Sequence, residues 1–180
     1  MPKTPPNIIL TGYRATGKSS VGKLLASRLS FDFIDMDKVI EAKEGQTINS
    51  MVADKGWPYF RQKEQQLLEV LITKSDQIIA TGGGAILRQD LWPKIMNAGL
   101  VVWLTANTET ICGRLAGDNK TSSQRPSLTG CGTEQEVATV LAEREPLYKA
   151  GSHIAVDTGT TNMEEISEII HKEFCNCSDR

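Results

Sequence analysis

The stretch that most limits the fold runs from Asn7 to Leu29. Asn-Ile-Ile-Leu-Thr at 7–11 is a continuous apolar run, the pattern of a strand buried on both faces. Gly12-Tyr-Arg-Ala-Thr-Gly-Lys-Ser19 breaks it, and Val21, Leu24, Leu25 and Leu29 then recur at helical spacing. Strand, glycine-bounded loop and helix in this order fit G-x-x-x-x-G-K-[ST]. The glycines let successive backbone N–H groups face one anion, and the helix N-terminus adds its positive dipole end. In this pattern Lys18 reaches the β- and γ-phosphates, and the Ser19 hydroxyl is a ligand for Mg²⁺. The expected nucleotide-binding residues are Arg14, Ala15, Thr16, Gly17, Lys18 and Ser19. A glycine-rich turn can match the motif by chance, but the strand–loop–helix context argues against that. The motif implies a nucleoside triphosphate and leaves the second substrate open.

The same alternation continues down the chain. Strands are expected at 31–35, 77–81, 100–105 and 153–157. Helices are expected from Val39, at 48–52 ending near Gly56, from about Pro58 to Thr73, and at 91–97, 108–115, 134–148 and 163–174. This order implies an α/β three-layer sandwich, a five-stranded parallel sheet flanked by helices with right-handed crossovers. The 180 residues read as a single domain over 1–180. Residues 1–6 carry three prolines and read as a disordered leader. Residues 117–132, rich in Gly, Ser, Thr and Asn, suit a lid that closes over phosphates, or an ordinary mobile loop. Residues 175–180 read as a frayed tail.

Composition narrows the class. Twenty Lys and Arg against 22 Asp and Glu give a net charge of −2, which disfavours a general nucleic-acid binder. No apolar run approaches the ~18 residues of a membrane span, and the N-terminus lacks a signal-peptide core, so a cytoplasmic protein is expected. Four cysteines lack paired metal spacing. Cys175-Asn-Cys177 reads as two reduced thiols rather than a fragment of a metal site.

Asp35-Met-Asp37 falls where the second strand ends, at the sheet edge that faces the ligand crevice. In an extended segment the two carboxylates share a face, so one can support Mg²⁺ and the other can orient or deprotonate an attacking hydroxyl. A helix cap is the plain alternative for either. The third strand ends in Thr-Gly-Gly-Gly without the acid usual in a Walker B strand, which makes Asp35 the best-placed metal support. Gly82, Gly83 and Gly84 leave backbone N–H groups open to a close ligand, or form a flexible turn. Arg61 has Glu64 three residues on. The pair is either a surface ion pair or a carboxylate-binding arginine oriented by a glutamate. Arg125 lies in the polar segment, and Arg144 is a solvated helix charge or a second anion clamp; spacing does not choose between these.

Taken together these motifs resemble the shikimate kinase family. The resemblance spans about Asn7 to Thr158. It rests on Gly12–Ser19, Asp35-x-Asp37, Phe60-Arg61-x-x-Glu64, Gly82–Gly84, Arg125-Pro126 and Arg144-x-x-Leu147-Tyr148, in that order. It implies a P-loop NTPase fold of the nucleoside-monophosphate-kinase type with a lid. It also implies transfer of the ATP γ-phosphate to the 3-hydroxyl of shikimate, towards chorismate and the aromatic amino acids. By the same resemblance Lys18, Asp37 and Arg125 are catalytic. Ser19 and Asp35 hold Mg²⁺, and Arg125 also meets the phosphates of ATP. Asp37, Arg61, Gly82, Gly83, Gly84 and Arg144 bind shikimate, Gly83 through its backbone. The resemblance implies a small-molecule substrate as partner and a monomer, and neither nucleic acid nor membrane is an expected partner.

Two departures stand out. Ala15 occupies a loop position usually held by glycine in the family, where its Cβ would crowd the loop if φ were positive. The segment between Arg114 and Arg125 is longer and more polar than usual. Gluconate kinase has a similar loop and size, but Gly82–Gly84 and the Arg61/Arg144 pair favour shikimate. Adenylate and cytidylate kinases fit the fold, yet an acidic pair facing the acceptor suits them less. A catalytically dead homologue is disfavoured because Lys18 and Asp37 are both present.

Overall fold

The structure, a computed structural model, describes residues 7–117 and 133–177. The leader at 1–6 and the expected lid residues from 118 to 132, Arg125 and Cys131 among them, lie outside the described residues. Five strands form one parallel sheet: β1 (Asn7–Thr11), β2 (Asp32–Asp35), β3 (Gln77–Ala80), β4 (Leu100–Thr105) and β5 (Ile154–Asp157). Their order is β2-β3-β1-β4-β5. The helices are α1 (Lys18–Leu29), α2 (Met36–Glu44), α3 (Ile48–Leu71), α4 (Trp92–Ala98), α5 (Thr108–Gly117), α6 (Thr133–Ala150) and α7 (Met163–Asn176).

The apolar runs carry two cores because successive strand residues point to opposite faces. Ile9, Ile79 and Val101 pack with Met36, Phe60, Leu68, Trp92 and Tyr148 on one side. Ile8, Leu10, Ile78, Val102 and Leu104 pack with Val21, Leu25, Ile166, Ile170 and Phe174 on the other. Ile8, Ile9 and Leu10 are fully buried. Each such side chain contributes about 1.5–3 kcal/mol relative to exposure. A third cluster of Tyr13, Ile111, Leu115, Val137 and Val140 joins the phosphate loop to α5 and α6.

Local signals set the element ends. Asp35 caps α2, Thr47 caps α3 and Asn162 caps α7 through their side chains. The expected interruption near Gly56 is present: α3 kinks there, with Gly56 at φ 78° and ψ 167°, and resumes ahead of Pro58. The expected frayed tail is corrected at its start. Helix α7 continues to Asn176 because Phe174 is buried against Phe31, with ring centroids 5.7 Å apart, and Cys177 packs on the same core. Cys112, Cys175 and Cys177 are free thiols. No described helix is long and apolar enough to cross a membrane.

Candidate active site

Every strand of a parallel sheet delivers its C-terminal end to one edge, and the site is built there. The loop after β1 turns at Gly12, whose φ is 138° and where a Cβ would overlap the Leu104 carbonyl oxygen. Gly17, at φ 89°, starts α1. Lys18 Nζ donates to the Gly12 carbonyl at 2.9 Å and the Tyr13 carbonyl at 2.6 Å, which holds the ammonium at the loop's mouth. Thr16 is buried and its hydroxyl donates to the Tyr13 carbonyl at 2.8 Å, so its side chain shapes the loop and, unlike the other expected nucleotide-binding residues of the loop, it lines neither cavity of the site. Ala15 adopts φ 61°, the left-handed conformation that the glycine usual there would take without strain. Its carbonyl is braced by Arg114, whose Nη1 lies 3.1 Å away and also donates to Thr158 Oγ1 at 3.0 Å.

Asp35 and Asp37 do not share an extended segment. Asp35 closes β2, and Asp37 sits in the first turn of α2, because the Asp35 cap ends the strand at once. Asp35 Oδ1 accepts the Lys38 N–H, while Oδ2 accepts the Ser19 hydroxyl at 2.7 Å. The cap and the site readings of Asp35 are therefore both true of one carboxylate. Ser19 and Asp35 present adjacent oxygens to a wide cleft also lined by Gly17, Lys18, Asp37, Arg114 and Thr158. Hard oxygen donors at the phosphate end of a cleft fit Mg²⁺, which takes few protein ligands and completes its shell with phosphate and water. No cluster of three or more His, Cys, Asp or Glu competes for a metal among the described residues.

A second cavity opens beside the first. Its walls are Tyr13, Trp57, Phe60, Arg61, Glu64 and Arg144 with the glycines at 82–84. Arg14, Asp37 and Ile48 line both cavities. Arg61 bonds Glu64 and lies over Trp57 and Phe60, 5.1 and 5.4 Å from their ring centroids. Arg144 Nη1 donates to the Gly83 carbonyl at 3.0 Å, and the Tyr148 hydroxyl donates to the same oxygen at 2.5 Å. Gly83 is thus fixed through its carbonyl. Burial raises the Glu64 carboxyl pKa, against the pull of Arg61 and Arg144. Burial pushes Tyr148 up to about 12, so its hydroxyl stays a neutral donor. The second cavity is aromatic and cationic and holds two carboxylates, Glu64 paired with Arg61 and Asp37 at the boundary with the first cavity.

A shikimate kinase family model matches residues 14–174. The chain belongs to the shikimate kinase family. Shikimate kinase of Rhodopirellula baltica is 42% identical over 162 residues, covering 90% of this chain and 87% of that protein. The solved structure of shikimate kinase from Acinetobacter baumannii in complex with shikimate superposes with a TM-score of 0.88. It is 31% identical and covers 97% of this chain and 95% of that one. A gluconokinase from Sinorhizobium meliloti covers 98% of this chain and 95% of that one at a TM-score of 0.61 and 19% identity, which shows a shared fold alone.

For this member of the shikimate kinase family, the structure gathers the expected residues into two adjoining cavities. Ala15, Gly17, Lys18, Ser19 and Asp35 line the first cavity, beside the phosphate loop; Arg61, Gly82, Gly83, Gly84 and Arg144 line the second. Arg14 and Asp37 line both. Arg125 lies outside the described residues. Sequence reasoning missed the roles of Tyr13, Trp57, Arg114, Glu136 and Thr158. Thr158 had a usable signal, since it follows the last strand at the ligand edge. Glu136 had none, because its partner Arg14 is 122 positions away.

Proposed function

We infer that the chain transfers the γ-phosphoryl group of ATP to the 3-hydroxyl of shikimate. The observation that carries this reading is the acceptor pocket itself. Two guanidinium groups, Arg61 and Arg144, line a cavity that shares Arg14, Asp37 and Ile48 with the phosphate-loop cleft. A small polyol carboxylate needs cationic clamps for its acid and a carboxylate for its hydroxyl. Asp37 accepts the hydroxyl proton while the acceptor oxygen forms its bond to the γ-phosphorus. The bond from that phosphorus to the bridging oxygen breaks, and ADP leaves with the electron pair. Lys18 exchanges its loop carbonyls for β- and γ-phosphate oxygens and offsets their charge.

Ser19 and Asp35 would hold Mg²⁺, and the ion would supply neutralisation of phosphate charge. Gly82, Gly83 and Gly84 let the backbone approach the acceptor, and Arg125 is assigned to the phosphates by the family resemblance. The family resemblance is the ground for a monomer, and ATP as donor fits a cytoplasmic enzyme.

The test is ADP release from Mg·ATP with shikimate, quinate, gluconate, AMP or CMP as acceptor. Stimulation by shikimate alone, abolished by Lys18→Ala and Asp37→Asn, is the expected result. Stimulation by gluconate or a nucleotide would overturn the roles of Arg61 and Arg144.

A further inference from the structure

Arg14 stands where the two cavities meet, and the loop motif does not require an arginine there. Its Nη2 lies 2.5 Å from Glu136 Oε1, and the two side chains are only 14% and 2% exposed. Glu136 comes from the first turn of α6, the helix that also carries Arg144 and Tyr148. The guanidinium lies 5.5 Å from the Tyr13 ring centroid. Glu136 and Tyr13 therefore hold it on two sides. Its Nε is buried without a hydrogen-bond acceptor among the described residues. A guanidinium pinned by Glu136 in a wall shared by both cavities is arranged for an anion that passes between them.

We propose that Arg14 binds the phosphoryl group in transit and keeps hold of it on the phosphorylated acceptor, with Glu136 as the positioning residue. The proposal rests on the acceptor reading above. During transfer the phosphorus exchanges its bond to the departing ADP oxygen for one to the acceptor oxygen. Arg14 donates to a non-bridging oxygen throughout and gains or loses no proton, since a guanidinium stays charged. The preference is for a phosphomonoester next to the acceptor ring over the unphosphorylated ring.

The test measures binding of shikimate and of shikimate 3-phosphate separately, by calorimetry without nucleotide. It compares the wild type with Arg14→Met/Glu136→Gln, Arg14→Gln and Arg14→Lys. The double variant removes both charges together, so no buried carboxylate is stranded. Arg14→Gln supplies an independent decision if that variant fails to fold. Loss of the cation is expected to weaken shikimate 3-phosphate binding about tenfold or more, with shikimate binding within about twofold of wild type. It should also lower kcat while the shikimate KM holds. Arg14→Lys should recover part of the product affinity. Unchanged product affinity, or equal loss for substrate and product, overturns the assignment and leaves Arg14 a packing residue. Wild-type turnover of shikimate is measured first. Absent turnover there overturns the acceptor reading and this proposal together, whereas normal turnover with unchanged product affinity overturns only this one.

Discussion

Replacing the three glycines after β3 with alanine, one at a time, separates the need for space from the need for backbone freedom. None of the three has a left-handed φ, so alanine is permitted by the backbone at each position and only the added Cβ acts. At Gly82 the new Cβ overlaps Glu64 Oε1 and lies 3.1 Å from Asp37 Oδ1. Ordinary contact needs about 3.5 Å, so the Glu64 carboxylate must retreat by more than about 1 Å. It is 2% exposed and bonded to Arg61, which leaves it nowhere to go cheaply. Overpacking of this kind costs about 1–3 kcal/mol, and each kcal/mol lowers the unfolding midpoint by about 2–4 °C in a chain of this length. At Gly84 the Cβ overlaps the Arg61 guanidinium. That group ends a flexible side chain 20% exposed, so it can swing away, but the move strips the buried Glu64 carboxylate of its partner and lowers stability as well. On the proposed role of Arg61, charge-assisted bonds to the acceptor carboxylate, about 1.5–3 kcal/mol, would be lost, which is about a tenfold to hundredfold weaker binding of shikimate. At Gly83 the nearest atoms are 3.4 Å away, the main-chain nitrogen of Arg14 and the carbonyl oxygen of Gly12, and little changes. Scanning calorimetry with shikimate titration reads both axes. Gly83→Ala as damaging as Gly82→Ala, or Gly84→Ala binding shikimate like the wild type, would refute the steric argument.

Ala15→Gly relieves about 1 kcal/mol of left-handed strain but adds about 0.5–1 kcal/mol of unfolded-chain entropy, so its unfolding midpoint should match the wild type closely. Ala15→Val, β-branched at the same φ, should lower both that midpoint and ATP affinity, read by calorimetry. Arg114→Met removes the brace on the Ala15 carbonyl and should raise the KM for ATP several-fold while the shikimate KM is retained, in steady-state kinetics. His153 Nδ1 accepts the Val101 N–H at 2.9 Å, and burial holds the ring's pKa below its usual value of 6.5. The unfolded chain therefore takes up this proton first as pH falls. Stability is full above about pH 6.5 and declines below it, and His153→Gln should flatten the difference in melting temperature between about pH 7.5 and pH 5.5.

Much of the fold was legible because its signals are local. Continuous apolar runs marked β1, β3 and β4, which are buried on both faces, and the Gly56 and Pro58 pair marked the break in α3. Strand bounds differ by one residue at Phe31, Thr81 and His153, whereas β2 ends at Asp35 as expected, where that side chain caps α2. The same cap explains why Asp37 was placed in an extended segment: alternation cannot show that a carboxylate will end its own strand. At the site, residue types were legible and their partners were not. Arg61 and Glu64 sit one helical turn apart, so their pairing was visible. Arg144 meets Gly83 across 61 positions and Arg114 meets Thr158 across 44, distances that only the folded sheet closes.

Asp35 has a consequence for how mutants of this enzyme are interpreted. One of its oxygens finishes a helix and the other holds Ser19 at the nucleotide cleft, so the residue is pleiotropic. Alanine there would fray the start of α2, which carries Asp37 two residues on, and a fall in activity would mix two causes. Asparagine caps helices about as well as aspartate and lacks the charge, so it is the substitution that separates the lost charge from the lost helix end.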